Sequence, residues 1–228
     1  YPCMVMPGTP LFELHQRGEF EPLSTESAVD IIARAKAFFP KYVRVQRVMR
    51  DIPTKLSIGG VRSNNLRQLV QSRAAELGID CQCIRCREVG HSANALRADV
   101  SRANILMESY EASHGTEIFI SSEDVSQNVL FGFCRLRIPS RPFRPEITDA
   151  SALVRELHVF GKSQSLGTSD DSAVQHHGLG HALLQRAEEI AKNDFGKREL
   201  LVISGVGARE YYRKLGYARN GVFMGKRL

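Results

Sequence analysis

The order of apolar and polar positions divides the chain into two parts with different patterns. In the first 80 residues, apolar runs at 3–6 and 43–48 predict short strands. Helical spacing of apolar residues predicts one helix between Ser24 and Pro40, and another between Asn64 and Gly78. This order of strand, helix, strand and helix is typical of parallel α/β units.

The pattern changes near residue 97. A helix is expected over residues 97–112, and antiparallel strands are expected at 117–121 and 129–138. The remaining elements are predicted as a strand at 153–160, a loop at 161–178, a helix at 179–195, a strand at 199–204, a helix at 208–215 and a final strand. The sequence therefore predicts an α/β fold whose second part contains antiparallel strands.

Composition narrows the class of protein. No apolar run approaches the ~20 residues that span a bilayer, so a membrane-spanning helix is not expected in these residues. The net charge of +6 fits either an ordinary solvated surface or a polyanionic partner, such as nucleic acid or the phosphates of a cofactor. Five cysteines without a disulfide pattern favour a reducing, cytoplasmic compartment. The start Tyr1-Pro2-Cys3 shows no initiator methionine and no signal peptide pattern, so a piece of a longer chain is expected.

A cluster of cysteines lies between the two parts of the chain. Cys81, Cys83 and Cys86 are followed five residues later by His91. Three thiolates and one imidazole complete a closed tetrahedral zinc site of the structural type. Cys3 is an alternative fourth ligand that spacing does not exclude. The opposing interpretation is three free thiols in a linker.

A glycine-rich loop opens the helix predicted at 179–195. The pattern Gln-x-x-Gly-x-Gly runs from Gln175 through Gly178 and Gly180, and Leu179 and His181 complete the loop. Missing side chains let a backbone approach phosphates, and the free amides of a first helical turn point at them. The sequence predicts a pyrophosphate site here, although a glycine-rich helix entry without a ligand has the same pattern.

Residues 208–217 carry the pattern Ala-x-x-Tyr-Tyr-x-x-Leu-Gly-Tyr, one strand downstream of that helix. Loop, helix, strand and this segment together resemble the GNAT acetyltransferase family. The resemblance implies that the glycine loop holds the coenzyme A pyrophosphate and that the preceding strand, Glu156-Leu157-His158-Val159, binds the pantetheine arm. It also implies that Tyr212 protonates the leaving thiolate. Tyr211 is the second candidate, but its helical spacing favours a packing role.

Four blocks extend the resemblance over the whole chain, to the family formed by the catalytic subunit of Elongator and its archaeal and bacterial relatives, the tRNA carboxymethyluridine synthases. The blocks are Arg47–Pro53, Arg87–Gly90, Arg155–Val159 and Ile203–Gly207. The family joins a radical S-adenosylmethionine barrel to a C-terminal GNAT domain. The resemblance therefore implies a barrel remnant at 1–80, a zinc-binding linker at 81–96 and a GNAT domain with a mixed, mostly antiparallel sheet at 97–228.

The resemblance implies a reaction as well as a fold. In the family, a radical formed on acetyl-CoA adds to C5 of the wobble uridine in a tRNA anticodon, and the thioester is hydrolysed. S-adenosylmethionine and a 4Fe–4S cluster serve the full-length parent, and the three closely spaced cysteines that bind the cluster are not among these 228 residues. The resemblance leaves the assembly open between a homodimer and a larger complex.

A basic stretch near the predicted domain junction fits an RNA partner. Arg44, Arg47, Arg50 and Lys55 are the candidate contacts to the anticodon stem-loop. The stretch continues with Arg62, Arg67, Arg85 and Arg87. Composition alone favours a solvated face, whereas the family resemblance favours tRNA contacts.

Two other functions fit parts of the sequence. The first is a GNAT lysine or small-amine N-acetyltransferase, in which Glu156 is the candidate base that deprotonates the amine. The second is a non-catalytic module that binds tRNA or an acyl-CoA, and it predicts binding without turnover.

Overall fold

The computed structural model describes residues 1–161 and 178–228, which form two compact units, Tyr1–Cys86 and Arg87–Leu228. The three clustered cysteines lie in the first unit, and His91 lies in the second. In the described part of the chain, no helix is both long and apolar enough to cross a membrane.

The first unit is built around a helical pair. Its helices are α1 (Pro10–Gln16), α2 (Thr25–Ala35), α3 (Leu66–Glu76) and the short α4 (Ile84–Arg87), whose last residue begins the second unit; single 3₁₀ turns cover Lys36–Phe38 and Thr54–Leu56. The apolar faces of α2 and α3 meet in a core that includes Ala28, Ala33, Leu66 and Val70. Both helices that the apolar spacing predicts are therefore confirmed, with ends one to five residues inside the predicted limits.

The predicted strands of this unit are only partly confirmed. The run at 3–6 contains β1 (Met4–Val5), which pairs antiparallel with β2 (Gly59–Gly60) instead of entering a parallel sheet. The strand predicted at 43–48 is wrong. Its carbonyls bond elsewhere: Val45 and Gln46 accept hydrogen bonds from the Arg67 guanidinium, and Val43 accepts one from the Ile84 amide. Val45 and Val48 pack on the helical core.

The second unit contains a seven-stranded sheet in the order β3-β4-β5-β6-β7-β9-β8. The strands are β3 (Asn104–Ala112), β4 (Gly115–Asp124), β5 (Val129–Ile138), β6 (Ser151–Val159), β7 (Glu199–Val202), β8 (Ala218–Asn220) and β9 (Phe223–Arg227). All neighbouring pairs of this sheet are antiparallel except β6 and β7, which are parallel. The expected mixed, mostly antiparallel sheet is confirmed.

The helix predicted at 97–112 is wrong. Two 3₁₀ turns, Ala95–Arg97 and Val100–Arg102, lead into β3, which pairs with β4 along its whole length. Burial along β3 alternates with a period of two, because this strand covers one edge of the sheet with only one face on the core. Apolar residues on successive positions near the start of β3 resemble a helical stripe, which explains the error.

Helix α5 (Leu179–Glu189) continues as a π-helical turn over Ile190–Asp194 and packs on one face of the sheet. Its buried residues Leu183, Leu184 and Ala187 meet side chains of β4, β5 and β6, among them the fully buried Cys134. A 3₁₀ turn at Val206–Ala208 leads into α6 (Arg209–Lys214).

Strands β6 and β7 are paired over only the first half of β6. Ser151–Val154 pair with Glu199–Val202, and the Ile203 amide makes the last bond, to the Val154 carbonyl. Beyond this point β6 continues to Val159 while β7 has ended. A bulge at Arg155 in the pairing of β5 with β6 bends the strand at the same level. Among the described residues, the divergence leaves one edge of β6 without a neighbouring strand beyond Val154.

Candidate active site

A cavity of about 310 Å³ lies where β6 leaves β7. Its walls come from the second half of β6, the first turn of α5 and the helix α6 with the turn before it. The lining residues are Leu157, Val159, Gly178, Gly180, His181, Ala208, Tyr211 and Tyr212. Residues that are far apart in sequence, the glycine loop and the paired tyrosines, therefore meet in one site.

The first turn of α5 is shaped to receive an anion. Gly178 caps the helix with φ of +67°, a left-handed conformation that favours glycine, and no side chain among the described residues caps this turn. The first amides of the helix are therefore available, and the helix dipole adds a partial positive charge. Gly178, Gly180 and His181 line the cavity, and Leu179 lies between them. Gln175, His176 and His177 lie outside the described residues.

Gly180 is the point of closest approach between α5 and α6. A Cβ at this position would lie 3.0 Å from the Tyr211 hydroxyl oxygen and 3.5 Å from a methyl group of Val159. Both neighbours line the same cavity. The missing side chain therefore keeps open the passage between the first turn of α5 and the tyrosines.

Tyr212 is the buried member of the tyrosine pair. Its side chain is 7% exposed, and burial raises its pKa to about 12, with smaller contributions from Cys134 and Tyr211. A phenol with this pKa stays protonated near neutral pH and can donate a proton. Tyr211 is 41% exposed, its ring meets the Tyr212 ring edge-on at 5.2 Å, and burial raises its pKa as well. Both tyrosines line the cavity, and Tyr212 also belongs to the core.

The four candidate residues of β6 divide between the two faces of the strand. Leu157 and Val159 line the cavity. Glu156 and His158 face the other way because side chains alternate along a strand. A carboxylate oxygen of Glu156 lies 2.6 Å from Nε of Arg135, and the His158 ring stacks on Phe133 at 5.4 Å between centroids. Neither side chain lines the cavity, whereas the backbone edge of β6 beyond Val154 has no neighbouring strand in the part of the chain that the structure describes.

The three clustered cysteines lie together in the first unit. The sulfur atoms of Cys81, Cys83 and Cys86 are within 4.8 Å of one another. Cys81 and Cys83 are buried, and hydrogen bonds from the other two thiols lower the pKa of Cys83. Lys36, which is 2% exposed, donates from Nζ to Sγ of Cys86 over 3.4 Å.

Neither candidate for the fourth ligand is part of this group. Cys3 is exposed, and the metal-sized cluster found in the described part of the chain contains only the other three cysteines. His91 lies in the second unit, where its Nε2 is 3.2 Å from a carboxylate oxygen of Glu88. The choice between His91 and Cys3 stays a prediction.

The candidate RNA contacts lie in the first unit and differ in exposure. Arg47 and Arg50 are exposed; Arg47 pairs with Asp51 at 2.6 Å, and the Arg50 guanidinium lies 5.5 Å from the centre of the Tyr1 ring. Lys55 is exposed and Arg44 is half-buried. Of the residues that continue the basic stretch, Arg87 is 1% exposed and pairs with Glu123, so it does not contribute to a basic surface.

Sequence reasoning missed two side chains of these sites. Ala208 lines the cavity, and its place one turn before Tyr212 in the tyrosine motif was the available signal. Lys36 contacts the cysteine cluster, but a lysine at the end of a helix is ordinarily a solvated residue, so the sequence carries no signal for it.

Replacing Gly180 with leucine is expected to weaken acetyl-CoA binding about tenfold or more, because the new side chain meets Tyr211 and Val159 and fills the passage. Calorimetric titration of the full-length protein with acetyl-CoA measures the change. The matched control is Gly90→Leu, since nothing lies within 4 Å of a Cβ at Gly90. Equal affinities of Gly180→Leu and the unchanged protein would place the ligand elsewhere.

Two family models each match one part of the chain. Residues 1–76 match the Radical_SAM C-terminal domain, and residues 171–223 match the acetyltransferase (GNAT) domain. The GNAT match contains the glycine loop, α5 and both tyrosines. The fold with its mixed sheet agrees with this assignment, which fits an acyltransferase.

Known proteins resemble the chain over its whole length. It is 50% identical to a protein named tRNA uridine(34) acetyltransferase from Methanocaldococcus infernus, and the match covers 100% of this chain and 43% of the relative. It is 42% identical to Elongator complex protein 3 from Danio rerio, over 100% of this chain and 42% of the relative. A solved structure of the archaeal Methanocaldococcus infernus Elp3 with an N-terminal deletion superimposes with a TM-score of 0.91 at 50% identity, covering 100% of this chain and 54% of that one.

The chain thus spans less than half the length of these two curated relatives. In sequence and fold it corresponds to their C-terminal portion, in which the end of a radical S-adenosylmethionine protein is joined to a GNAT domain.

Proposed function

We propose that this chain is the acetyl-CoA-binding, C-terminal part of an enzyme that modifies C5 of the wobble uridine of tRNA and couples this reaction to hydrolysis of acetyl-CoA. One observation carries the proposal: the cavity joins a helix N-terminus, which no described side chain caps, to the buried Tyr212, whose pKa is raised. The chain is 50% identical to a tRNA uridine(34) acetyltransferase. Anion binding and proton donation are the two tasks that acetyl-CoA chemistry requires of a protein.

The proposal gives each part of the cofactor a place in the cavity. We assign the coenzyme A pyrophosphate to the first amides of α5, with Gln175, Leu179 and His181 as further contacts of the loop. The pantetheine arm then lies along the edge of β6 at Glu156–Val159. With the pantetheine arm in this position, the thioester would lie next to Tyr211 and Tyr212, which line the opposite wall of the cavity.

Hydrolysis of the thioester uses Tyr212 as the acid. Water adds to the carbonyl carbon, the carbon–sulfur bond breaks, and sulfur leaves with the bonding electron pair. The Tyr212 hydroxyl donates its proton to this sulfur, so coenzyme A leaves as a thiol and the phenolate regains a proton from water. S-adenosylmethionine and a 4Fe–4S cluster, bound by parts of the parent outside these residues, supply the radical chemistry that activates the acetyl methyl group.

The substrate is a tRNA anticodon stem-loop, which the first unit contacts through its basic side chains. Arg47, Arg50 and Lys55 are exposed and suited to phosphate contacts, which position an RNA without reading its sequence. Arg44 is the half-buried member of the set. A tRNA substrate also places the reaction in the cytoplasm, where the protein acts as a homodimer or within a larger complex.

The structure gives less support to amine acetylation. That reaction needs a base beside the acetyl group, and the candidate Glu156 turns away from the cavity and pairs with Arg135. The proposed hydrolysis involves no amine and needs no base to deprotonate one, so it is compatible with the position of Glu156.

Release of free thiol from acetyl-CoA by the full-length protein tests the proposal, measured with and without tRNA. Thiol release that requires tRNA is the expected result. Release that ignores tRNA but rises with added amines would establish an amine acetyltransferase instead. Tight acetyl-CoA binding without thiol release under either condition would leave a non-catalytic binding module.

We also propose that Cys81, Cys83 and Cys86 hold a structural zinc ion, with His91 or Cys3 as the fourth ligand. The sulfur atoms are close enough to share one ion, and thiolates are the ligands that structural zinc sites prefer. Three thiolates exceed the charge of one Zn²⁺, and the buried Lys36 ammonium offsets this excess from beside Cys86. The ion would tie Cys81 and Cys83 to Cys86, the one member of the cluster that lies in the short helix α4.

Replacing Lys36 with methionine is expected to weaken zinc binding by about 10- to 100-fold, because the ligands keep their positions but lose the neighbouring cation. Competition with a chromophoric zinc chelator measures the affinity. Lys55→Met, which removes an exposed lysine of the same unit, is the control and should bind zinc like the unchanged protein. Unchanged zinc affinity in Lys36→Met would show that the lysine has no part in the site.

A further inference from the structure

The C-terminal end of α6 joins Tyr212 to a third tyrosine, Tyr217. The Tyr217 amide donates to the Tyr212 carbonyl at 3.1 Å, and the Gly216 amide donates to the Arg213 carbonyl at 3.0 Å. Gly216 has φ of +87°, so the helix ends in a Schellman motif. The side-chain contact typical of this motif is present too, since the rings of Tyr212 and Tyr217 meet at 5.8 Å between centroids.

The hydroxyl of Tyr217 is fixed from the neighbouring helix. It donates to a carboxylate oxygen of Glu188 at 2.7 Å, and Glu188 lies in the last turns of α5. Lys226 of β9 donates to both oxygens of the same carboxylate, at 2.9 and 2.8 Å, and its Nζ lies 5.4 Å from the centre of the Tyr217 ring. Glu188, Tyr217 and Lys226 therefore tie α5, the end of α6 and the last strand together.

The ring of Tyr212 depends on packing for its position. Within residues 1–161 and 178–228, its hydroxyl has no hydrogen-bond partner, so the ring is held by Tyr211 on one side and Tyr217 on the other. A hydroxyl without a partner is free to serve a ligand in the cavity. The orientation of the Tyr212 hydroxyl therefore depends on the two neighbouring rings, which must themselves be held in place.

We propose that Tyr217 and Glu188 are positioning residues for Tyr212, and that they set the distance between the helix that binds the pyrophosphate and the helix that carries the acid. The inference rests on the proposed role of Tyr212 as proton donor. Burial, followed by the hydrogen bond to Glu188, raises the pKa of Tyr217, so this link stays intact through the neutral range. The charged groups that face Tyr217 are Glu188 and Lys226, and the titratable groups Cys134 and Tyr212 are also near it, while Cys134 and Tyr211 are the titratable neighbours of Tyr212.

Tyr217→Phe tests the proposal because it keeps the ring and removes the hydroxyl. In thiol release by the full-length protein with tRNA, kcat should fall about tenfold while KM for acetyl-CoA stays within about twofold. Glu188→Ala should give the same loss, and Glu188→Gln should restore most of the activity because its amide oxygen still accepts the hydrogen bond. Ser151→Ala, which removes another buried hydroxyl bonded to a carboxylate, is the control.

A second readout does not depend on activity. With 3-fluorotyrosine at position 212, the ¹⁹F resonance reports the environment of this ring, and Tyr217→Phe should shift and broaden it. If Tyr217→Phe shifts the resonance but Tyr212→Phe has normal activity, Tyr217 does position the Tyr212 ring. Tyr212 is then not the proton donor. An unchanged resonance and unchanged kcat in Tyr217→Phe would overturn the positioning role alone. An equal loss of kcat from Tyr217→Phe in the presence and absence of the Tyr212 hydroxyl would also overturn it, because a residue acting through Tyr212 has no further effect once that hydroxyl is gone.

Discussion

Tyr212→Phe is expected to lower kcat for tRNA-dependent release of coenzyme A by about 100-fold or more, which is the usual contribution of a general acid. The phenylalanine ring preserves the contacts with Tyr211 and Tyr217, so the affinity for acetyl-CoA should stay nearly constant. The loss arises because sulfur then leaves as a thiolate without a proton donor. Rapid measurement of thiol release under saturating acetyl-CoA gives kcat, and calorimetry gives the affinity.

Tyr211→Phe is the matched comparison, because it removes the other hydroxyl of the cavity. That hydroxyl lies beside the Gly180 position in the first turn of α5, so its loss should affect acetyl-CoA binding more than kcat. A large loss of kcat in Tyr211→Phe, with little loss in Tyr212→Phe, would transfer the acid role to Tyr211.

The pH dependence of the reaction follows from the raised pKa of Tyr212. Its ordinary value is near 10, and burial raises it to about 12. A general acid works below its pKa, so kcat should not decline between pH 7 and pH 10 through loss of this proton. A decline in that range that disappears in Tyr212→Phe would contradict the raised value.

The sequence was informative where local chemistry decides the structure. The glycine loop, α5 and the tyrosine segment were predicted, because a left-handed cap at Gly178 and an apolar stripe facing a sheet are local requirements. The approach of Tyr211 to Gly180 was not predictable, because it depends on how α5 and α6 pack on the sheet. The same holds for the two faces of β6, since the side of the strand that meets the cavity is set by the whole sheet.

The errors have a common physical origin. The strand at 43–48 and the helix at 97–112 were predicted from local patterns of apolar residues. The conformation of both segments is determined by their tertiary partners. The carbonyls of Val45 and Gln46 bond to Arg67, and β3 gains a ladder of hydrogen bonds from β4. Sequence alone shows neither partner.

A buried ion pair explains the first residue of the block Arg87–Gly90. The sequence pattern had included this residue, Arg87, in the basic stretch. Arg87 and Glu123 are each 1% exposed and meet at 2.7 Å, and Glu123 also accepts a hydrogen bond from Ser121 at 2.7 Å. The next residues pair with the start of β5: Glu88 forms a parallel bridge with Leu130, and the Val89 amide donates to the Leu130 carbonyl at 3.0 Å. The block therefore holds the start of the second unit against its own sheet.

Arg87→Met is expected to destabilise the second unit by about 3–5 kcal/mol, because it leaves the Glu123 carboxylate buried without its cation. Hydrogen exchange of the β4 and β5 amides in the full-length protein measures the loss as faster exchange in this unit alone. The double variant Arg87→Met with Glu123→Leu should recover most of the stability, since an apolar pair of similar volume carries no unpaired charge. Arg97→Met, at an exposed position of the same unit, is the control. If the single and double variants exchange alike, the cost comes from lost packing and not from the buried charge.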